Sequence, residues 1–473
     1  MSYDIDGNIY KCIKSMYSHP ISRVNINSYN TDWFITESGV RQGDTLSPTL
    51  FSLYINDLVL TLKELNIGID INGETLCTLL FADDIVIFAE AETELQMLLD
   101  CVHNWCQNWK LRVNIDKTKV VHFRNKRVNR TKCAFKMGNE NVDIVEEYKY
   151  LGVYLNEYLD YNVIANTLSG AAGRALGGVI AKFQNLKNVG FSTFSKMYNT
   201  GVVSVMNYCS GIWGYGNYEC CNRVQQRAIR YYLGVHCKAP LFAIEGDVGW
   251  IPCNIRQQSE MLRFWNRLIN MDSNRLTYKV FQNDYNLCNN NWCAEIKSIF
   301  ANLHCEEVFT DRSVCDIELL QRRNMCKFNE SWKENIMKKP KLRTYVTFKD
   351  EYCTEDYVKY CTSRFQRSLL AQTRCGILPI RIEIGRFRNE KEEERICQLC
   401  DFQKIENEFH FICECSQYNV YRQELYNNVT VRNINFEMLN DKEKFSYLMK
   451  YSWKCVGSYM EKAWLKRTSI LYE

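Results

Sequence analysis

Two adjacent aspartates between two short apolar runs are the feature that most restricts what this chain can fold into. Residues 75–81 (TLCTLLF) and 85–89 (IVIFA) are rich in β-prone residues, and only Ala82, Asp83 and Asp84 separate them. Each run predicts a buried strand, and the short gap predicts a tight hairpin. Paired carboxylates at a hairpin tip repel each other and suit a hard divalent cation such as Mg²⁺ or Mn²⁺, which takes oxygen ligands. An exposed Asp-Asp turn is the alternative, because such turns are common in hairpins.

A glycine-containing loop upstream leads into an amphipathic helix. In residues 38–48 (SGVRQGDTLSP), Ser47 is the predicted N-cap and Pro48 takes the first helical position. The helix places apolar side chains along one stripe, namely Phe51, Ile55, Leu58, Leu62 and Leu65. Gly43 allows a ligand to approach the backbone closely, and Gln42 beside it can hydrogen-bond a base, a sugar or a phosphate. The alternative is an ordinary capped helix.

These two features, in this order and at this spacing, resemble the reverse transcriptases of non-LTR (LINE-type) retrotransposons. Residues 39–51 (GVRQGDTLSPTLF) resemble motif B of that family, and Phe81–Asp84 (FADD) resembles its motif C. The resemblance implies an RNA-directed DNA polymerase that uses two-metal nucleotidyl transfer, with Asp83 and Asp84 as catalytic metal ligands. It implies an RNA template, a DNA primer and dNTPs as partners. The residues expected to contact template or nucleotide are Arg41, Gln42, Gly43, Phe81 and Ala82.

Two downstream segments resemble the same family. Residues 111–119 (LRVNIDKTK) resemble motif D and place its lysine at Lys117, which could donate a proton to the leaving pyrophosphate. Tyr148–Leu155 resembles motif E. Between Lys110 and Lys132 there are nine lysines and arginines and one acid. Such a stretch fits a nucleic-acid backbone or is a solvated face, and for 126–130 the sequence favours neither.

The resemblance also predicts a first catalytic aspartate, on a strand upstream of the Gln-Gly loop. Asp4 and Asp6 lack an apolar strand around them, and Ile9–Tyr17 resembles the helix that follows that aspartate. We therefore expect the fingers and the first half of the palm to be missing. We expect weak or absent polymerase activity, because a two-metal site needs that carboxylate.

Cysteine spacing near the C-terminus predicts a metal site. Cys397 and Cys400 form a C-x2-C pair, and His410 and Cys415 follow at spacings that suit tetrahedral Zn²⁺. Cys413 competes as the fourth ligand, and buried cysteines without a metal are the alternative in a chain with 23 cysteines. The segment resembles the C-terminal Cys-Cys-His-Cys segment of LINE-type proteins. That resemblance favours Cys415 and implies a structural zinc site in a region that binds RNA.

The pattern along the whole chain predicts an α+β protein of several parts. The predicted parts are a partial polymerase right-hand palm (antiparallel sheet plus helices) at 1–158, a helical thumb and connection at 159–290, a helical linker region at 291–388, and a zinc-knuckle-like Cys-Cys-His-Cys segment with C-terminal helices at 389–473. Residues 341–345 and 382–387 also resemble family sequence, but they suggest no chemistry.

Composition argues against some classes of protein, but it does not indicate one function. The N-terminus does not resemble a signal peptide, no apolar run has the length of a membrane span, and the net charge is +4. We expect an intracellular protein of the nucleus or cytoplasm, in a reducing compartment. Three hypotheses stay open: a polymerase, a non-catalytic nucleic-acid-binding remnant of a retroelement, and a degenerate relic.

Overall fold

The chain forms two units in a computed structural model that describes residues 5–36, 39–184, 186 and 188–472. The first unit comprises residues 1–120 and 130–145, and the second comprises 121–129 and 146–473. The chain therefore leaves the first unit after Val120 and returns to it at Arg130 before finally entering the second.

The first unit combines three helices with short strands. Its helices are α1 (Gly7–Tyr17), α2 (Ser47–Glu64) and α3 (Glu92–Asn108). Its strands are β1 (Ile21–Ser22), β2 (Asn25–Ile26), β3 (Tyr29–Asn30), β4 (Phe34–Ile35), β5 (Ile69–Ile71), β6 (Glu74–Leu76), β7 (Thr78–Phe81), β8 (Asp84–Ile87), β9 (Lys119–Val120), β10 (Phe135–Met137) and β11 (Glu140–Ile144).

The strands of the first unit pair in small groups. Four two-stranded antiparallel pairs form between β1 and β4, β2 and β3, β5 and β6, and β7 and β8. A three-stranded sheet has the order β10-β11-β9, in which β9 runs parallel to β11. The described strands are mostly antiparallel, as predicted, but they form several small sheets. The prediction of mixed helix and sheet was confirmed.

One apolar stripe of α2 and one of α3 build the core of the first unit. Ile55, Leu58 and Leu62 are buried, and Phe51 and Leu65 pack against them, as the helical spacing predicted. From α3, the buried residues are Leu98, Leu99, Val102, Trp105 and Cys106. Strand residues on one face of the β7–β8 hairpin, including Leu80 and Ile85, pack on this core.

The second unit is mainly helical. It opens with the hairpin of β12 (Glu147–Tyr150) and β13 (Val153–Asn156). Its helices are α4 (Tyr161–Gln184), α5 (Phe191–Tyr198), α6 (Ser204–Met206), α7 (Ser210–Trp213), α8 (Glu219–Leu233), α9 (Leu241–Val248), α10 (Cys253–Ile269), α11 (Leu276–Leu287), α12 (Trp292–Asn302), α13 (Glu306–Thr310), α14 (Ile317–Met337), α15 (Asp356–Tyr360), α16 (Arg364–Arg374), α17 (Arg381–Phe387), α18 (Asn419–Thr430), α19 (Asp441–Tyr451) and α20 (Trp453–Tyr472). Short 3₁₀ turns lie at Pro340–Leu342, Tyr345–Thr347, Glu392–Glu394, Ser416–Tyr418 and Ile434–Met438, and π-helical turns at Asn199–Val203 and His410–Glu414.

Two apolar clusters fill the second unit. The larger runs from α4 to α20 and includes Trp213, Trp332 and Phe411, all essentially inaccessible to solvent. The smaller surrounds Trp265 between α10 and α14. Helix α8 is continuous, whereas the π-helical turn at Asn199–Val203 lies between α5 and α6.

A buried ion pair ties α9 to α16 within the second unit. Asp247 is fully buried and accepts hydrogen bonds from Arg374 Nε at 2.8 Å and Nη2 at 3.0 Å. The hydroxyls of Tyr345 and Tyr357 also donate to its carboxylate, at 2.9 and 2.7 Å. Burial alone would raise the pKa of Asp247, but these donors outweigh it and hold the pKa below its usual value. Residues 341–345, which had no assigned chemistry, therefore contribute Tyr345 to a structural network.

Replacing Asp247 with asparagine is expected to lower the free energy of unfolding by about 3 kcal/mol at neutral pH. Arg374 then loses its fully buried countercharge and keeps only Glu355, whose Oε2 lies 3.0 Å from Nη2. The folded-state pKa of Asp247 lies below the unfolded value of about 4. The extra stability of the wild type over the variant is therefore complete above the unfolded pKa, and it is lost as the pH falls through the folded pKa. Denaturant titrations at several pH values measure both effects. Asp356→Asn, at an exposed carboxylate 3.8 Å from Lys359 Nζ, is the control and should change stability by less than about 0.5 kcal/mol. An equal loss in both variants would contradict the role of the buried pair.

Candidate functional sites

The Asp83–Asp84 hairpin exists and has a two-residue turn. Strand pairing places Phe81 opposite Asp84, so only Ala82 and Asp83 form the turn. Both aspartates are exposed, and neither carboxylate has an ion-pair or hydrogen-bond partner in the described part of the chain. The prediction that both strands are buried was wrong: one face of the hairpin packs on the core, whereas Phe81 is 61% exposed. The hairpin is fixed by the face that packs on the core, and it exposes two adjacent carboxylates to solvent.

Ala82 gives the tip a constrained backbone. Its φ angle is +53°, in the left-handed region that residues with a Cβ rarely adopt. Such a conformation costs on the order of 1 kcal/mol and persists where the surrounding structure imposes it. Here the two antiparallel strands impose it, and the turn fixes where the backbone presents Asp83.

The loop before α2 is held by its own polar contacts. Arg41 Nη2 donates to the carbonyl of Met16 at 2.6 Å, and Ser47 Oγ donates to the carbonyl of Arg41 at 2.7 Å. The prediction of Ser47 as N-cap was wrong by one position, because Leu46 precedes the helix and Ser47 is its first residue. The Ser47 hydroxyl is used instead to fix the loop. Gly43 has a φ of +87°, and the space that a Cβ there would occupy is open. Gln42 beside it is exposed.

Lys117 lies in a short turn that precedes β9. Its backbone N–H donates to the Asn114 side chain at 3.2 Å and to the Asn114 carbonyl at 3.2 Å. The side chain is exposed. Asp83, Gln42 and Lys117 therefore all belong to the first unit and all reach solvent. Asp6 immediately precedes α1 and lies in no strand, whereas Asp4 lies outside the described residues.

The Cys/His residues near the C-terminus converge in the second unit. One ligand atom from each of Cys397, Cys400, His410 and Cys415 lies within 4.8 Å of the others, and all four residues are buried. The Cys397 and Cys415 sulfurs are 4.0 Å apart, and Cys400 Sγ is 3.5 Å from His410 Nε2. A tetrahedral Zn²⁺ would separate two sulfur ligands by about 3.8 Å and a sulfur from a nitrogen by about 3.6 Å. The two measured distances are close to these values, and all four ligand atoms lie within 4.8 Å of one another.

Local structure explains this convergence. Backbone bonds between 395 and 406 close a hairpin: Cys397 N–H donates to the Lys404 carbonyl, and Glu406 N–H donates to the Arg395 carbonyl. Cys397 and Cys400 lie in this hairpin, and a π-helical turn brings in His410 before ending at Cys415. Cys413 lies outside the group of four.

Cys413 instead packs against the large apolar cluster. Burial raises the pKa of its thiol to about 12. In contrast, a hydrogen bond from Cys397 holds the pKa of Cys415 below its usual value. Cys413 and Cys415, the two candidates for the fourth ligand, thus occupy different environments, and Cys415 lies beside the other ligand atoms.

Two features around this cluster were missed by sequence reasoning. His410 Nδ1 lies 3.1 Å from Glu414 Oε2, which leaves Nε2 directed to the cysteines, as carboxylates do behind metal-bound histidines. Glu414 follows His410 by one helical turn, so the spacing could have revealed it. The second feature is a buried ion pair between Glu406 and Arg467, residues far apart in the sequence. No local pattern indicates that contact.

Comparison with known proteins shows which proteins the first part of the chain is similar to. Residues 3–155 match the family model described as "Reverse transcriptase (RNA-dependent DNA polymerase)". This region contains Arg41, Gln42, Asp83, Asp84 and Lys117.

The individual relatives that match are proteins of retrotransposable and mobile elements. Over 150 residues, 30% of this chain, the sequence is 31% identical to the retrovirus-related Pol polyprotein from type-2 retrotransposable element R2DM of Drosophila melanogaster and covers 14% of it. It is 26% identical over 161 residues, 33% of this chain, to the RNA-directed DNA polymerase from mobile element jockey of Drosophila melanogaster, covering 17% of that protein. It is 30% identical over 151 residues, 30% of this chain, to the Pol polyprotein of the R2 element of Nasonia vitripennis, covering 15% of it. The resemblance to LINE-type reverse transcriptases is thereby confirmed, and the matches cover less than a fifth of each of these relatives.

No helix among the described residues is both long enough and apolar enough to cross a lipid bilayer.

Proposed function

We propose that this chain carries the catalytic hairpin of an RNA-directed DNA polymerase of a non-LTR retroelement. The observation that carries the proposal is the pair of exposed carboxylates, Asp83 and Asp84, on a constrained hairpin tip inside the region that matches reverse transcriptases. RNA as template, DNA as primer and dNTPs as substrates follow from the same family.

Asp83 and Asp84 are the residues that would hold Mg²⁺ or Mn²⁺. Adjacent carboxylates without a protein countercharge fit such ions, since hard divalent cations bind a few carboxylates together with substrate phosphates. Bound ions would supply charge neutralisation for the attacking and leaving oxygens of nucleotidyl transfer. The anchored hairpin contributes a fixed position for both carboxylates, so little ordering is required when nucleotide arrives.

We propose roles for the remaining first-unit residues that their placement supports. Gly43 allows template or nucleotide to approach the backbone, and Gln42 offers a side-chain amide beside it. Arg41 fixes the loop through its bond to Met16, and Phe81 and Ala82 present the hairpin tip. Lys117 would donate a proton to, or neutralise, the leaving pyrophosphate.

In the second unit, we propose that Cys397, Cys400, His410 and Cys415 bind one structural Zn²⁺ within an RNA-binding segment. Four protein ligands leave no open position for a substrate, so the ion would stabilise the fold rather than take part in chemistry. The distances among the four ligand atoms and the Glu414 contact to His410 support this proposal.

The second candidate is a non-catalytic nucleic-acid-binding protein of retroelement origin. The observation that favours it is that β7 and β8 pair only with each other among the described strands, and no third carboxylate is presented beside them on a paired strand. A two-metal site requires such a carboxylate to bridge the ions.

Iron-directed cleavage tests the metal site without requiring catalysis. Fe²⁺ bound in place of Mg²⁺, with ascorbate and peroxide, is expected to cut the backbone near Asp83 and Asp84, and excess Mg²⁺ should suppress the cut. Primer extension on an RNA template then separates the two candidates. Cleavage with extension supports the polymerase, and cleavage without extension supports the binding protein. Absence of a cut near the hairpin contradicts the proposed metal site.

A further inference from the structure

The basic segment at 121–129 overlaps residues 126–130, for which the sequence favoured neither a nucleic-acid contact nor a solvated face. It carries Arg124, Lys126 and Arg127 and no acid. It belongs to the second unit, although the chain on either side of it belongs to the first. Within the second unit, its conformation is determined by contacts to the residues that follow β13.

Arg124 fixes this segment to the end of β13. Its Nε and Nη2 donate to the two carboxylate oxygens of Glu157 at 3.1 and 2.8 Å, in a bidentate pair whose side chains are only 10% and 5% exposed. The backbone N–H of Arg124 donates to the Glu157 carbonyl at 2.9 Å, and Nη2 also donates to the Tyr158 hydroxyl at 2.7 Å. A planar guanidinium that makes these bonds together is held in a single orientation.

The same guanidinium closes the turn beyond it. Arg124 Nη1 donates to the carbonyl of Val128 at 2.5 Å, and Val128 N–H donates to the Asn125 carbonyl at 2.9 Å. Residues 125–128 therefore form a small turn closed by the Arg124 side chain. The charge of Arg124 is neutralised by Glu157, so this arginine positions the turn and does not offer a free cation.

Lys126 and Arg127 are presented by this turn with their charges available. Both are exposed, and neither forms an ion pair within the described part of the chain. Lys126 Nζ lies 5.7 Å from the Tyr158 ring centroid, a weak contact that leaves its hydrogen-bond donors in solvent. Phe123, next to Arg124, is 47% exposed. Two unpaired cations on a fixed turn, with an exposed aromatic ring two residues before it, match the chemistry of a single-stranded nucleic acid, namely phosphates and an unstacked base.

We propose that the turn at 125–128 binds the backbone of single-stranded RNA, with Lys126 and Arg127 on phosphates, Phe123 stacking on a base, and Arg124 as the positioning residue. This inference rests on the proposed nucleic-acid function and assigns part of that function to specific residues. An acidic protein surface offers the charges but no bases to stack, so the aromatic ring favours the nucleic acid.

Equilibrium binding of the full chain to a labelled single-stranded RNA of about 12 nucleotides tests the proposal. Lys126→Ala/Arg127→Ala is expected to weaken binding about tenfold at low salt and to reduce the slope of log affinity against log salt by about 1.4, or about 0.7 per phosphate contact. The matched control is Arg322→Ala/Lys338→Ala, which removes two exposed cations, one within α14 and one just after its last residue, that each lie near an acid one turn earlier. It should bind within about twofold of wild type.

Two further variants separate positioning from charge. Arg124→Lys retains the positive charge but loses the bidentate geometry, and we expect about threefold weaker binding with an unchanged salt slope. Phe123→Ala should weaken binding to single-stranded RNA about fivefold and leave binding to duplex RNA unchanged. Circular dichroism and thermal melting of each variant confirm that the fold persists.

The outcomes distinguish this inference from the proposed function. If Lys126→Ala/Arg127→Ala binds RNA with wild-type affinity and with the wild-type slope of log affinity against log salt, the inference is overturned. The polymerase proposal then stays intact. Equal losses of binding to RNA and to polyglutamate also overturn it, because the turn would then recognise any polyanion. Specific loss of RNA binding, together with no iron-directed cut at Asp83, supports the inference and overturns the proposed metal site instead.

Discussion

Asp83→Asn is expected to abolish iron-directed cleavage at the hairpin and to reduce any RNA-templated primer extension by the chain at least about 10³-fold. Removal of one ligand from a metal site whose members act as a unit removes most of the rate. The substitution retains side-chain size and removes one negative charge from an exposed turn. The fold should therefore be unaffected, with a change in stability below about 0.5 kcal/mol. Thermal melting and cleavage mapping on the same preparation measure the two effects separately.

Glu140→Gln is the matched control for this variant. Glu140 is exposed and follows a two-residue turn in the first unit, at the start of β11, as Asp84 does at the start of β8. If any exposed carboxylate of a hairpin directed the iron, Glu140→Gln would change the cleavage pattern as well. We expect it to behave as wild type. Unchanged cleavage near the hairpin in Asp83→Asn would contradict metal binding by this residue.

The hairpin and α2 show how far local pattern alone could predict the first unit. Apolar runs on both sides of Ala82, Asp83 and Asp84 were sufficient to place the turn. The 3.6-residue spacing was sufficient to place Ile55, Leu58 and Leu62 in the core. Burial of the hairpin strands was predicted wrongly, because a short continuous apolar run does not show whether one face or both faces are covered. Strand pairing across the unit also depends on contacts distant in sequence, such as the parallel pairing of β9 with β11.

The second unit shows what spacing can and cannot reveal about a site. The C-x2-C pair and the later His410 and Cys415 were recognisable because metal ligands recur at short, regular separations. Spacing alone did not choose between Cys413 and Cys415; in the structure Cys415 follows the π-helical turn at His410–Glu414 and lies beside the other three ligand atoms. The ion pairs of Asp247 with Arg374 and of Glu406 with Arg467 join residues that no sequence period relates.

Loss of the Cys397–Cys415 site is expected to have the largest effect on the fold of the second unit. We expect the purified chain to contain one Zn²⁺, and Cys415→Ala to contain none. Binding of zinc to a site formed only in the folded state contributes directly to folding free energy. If several kcal/mol are lost, the melting temperature should fall by about 5 °C, since an entropy of unfolding of about 2 cal/mol/K per residue gives about 1.5 °C per kcal/mol for a unit that spans 121–129 and 146–473.

Cys413→Ala is the control that distinguishes metal loss from core damage. It removes a thiol of the same segment that packs on the large apolar cluster and lies outside the group of four. We expect this variant to retain one Zn²⁺ and to lose only about 1 kcal/mol, because a small cavity replaces the thiol. A strong chelator should lower the melting temperature of wild type and Cys413→Ala but not that of Cys415→Ala. If elemental analysis finds no zinc in wild type, or equal zinc in both variants, the four residues are buried cysteines and a histidine that pack without a metal, and their convergence has only a packing role.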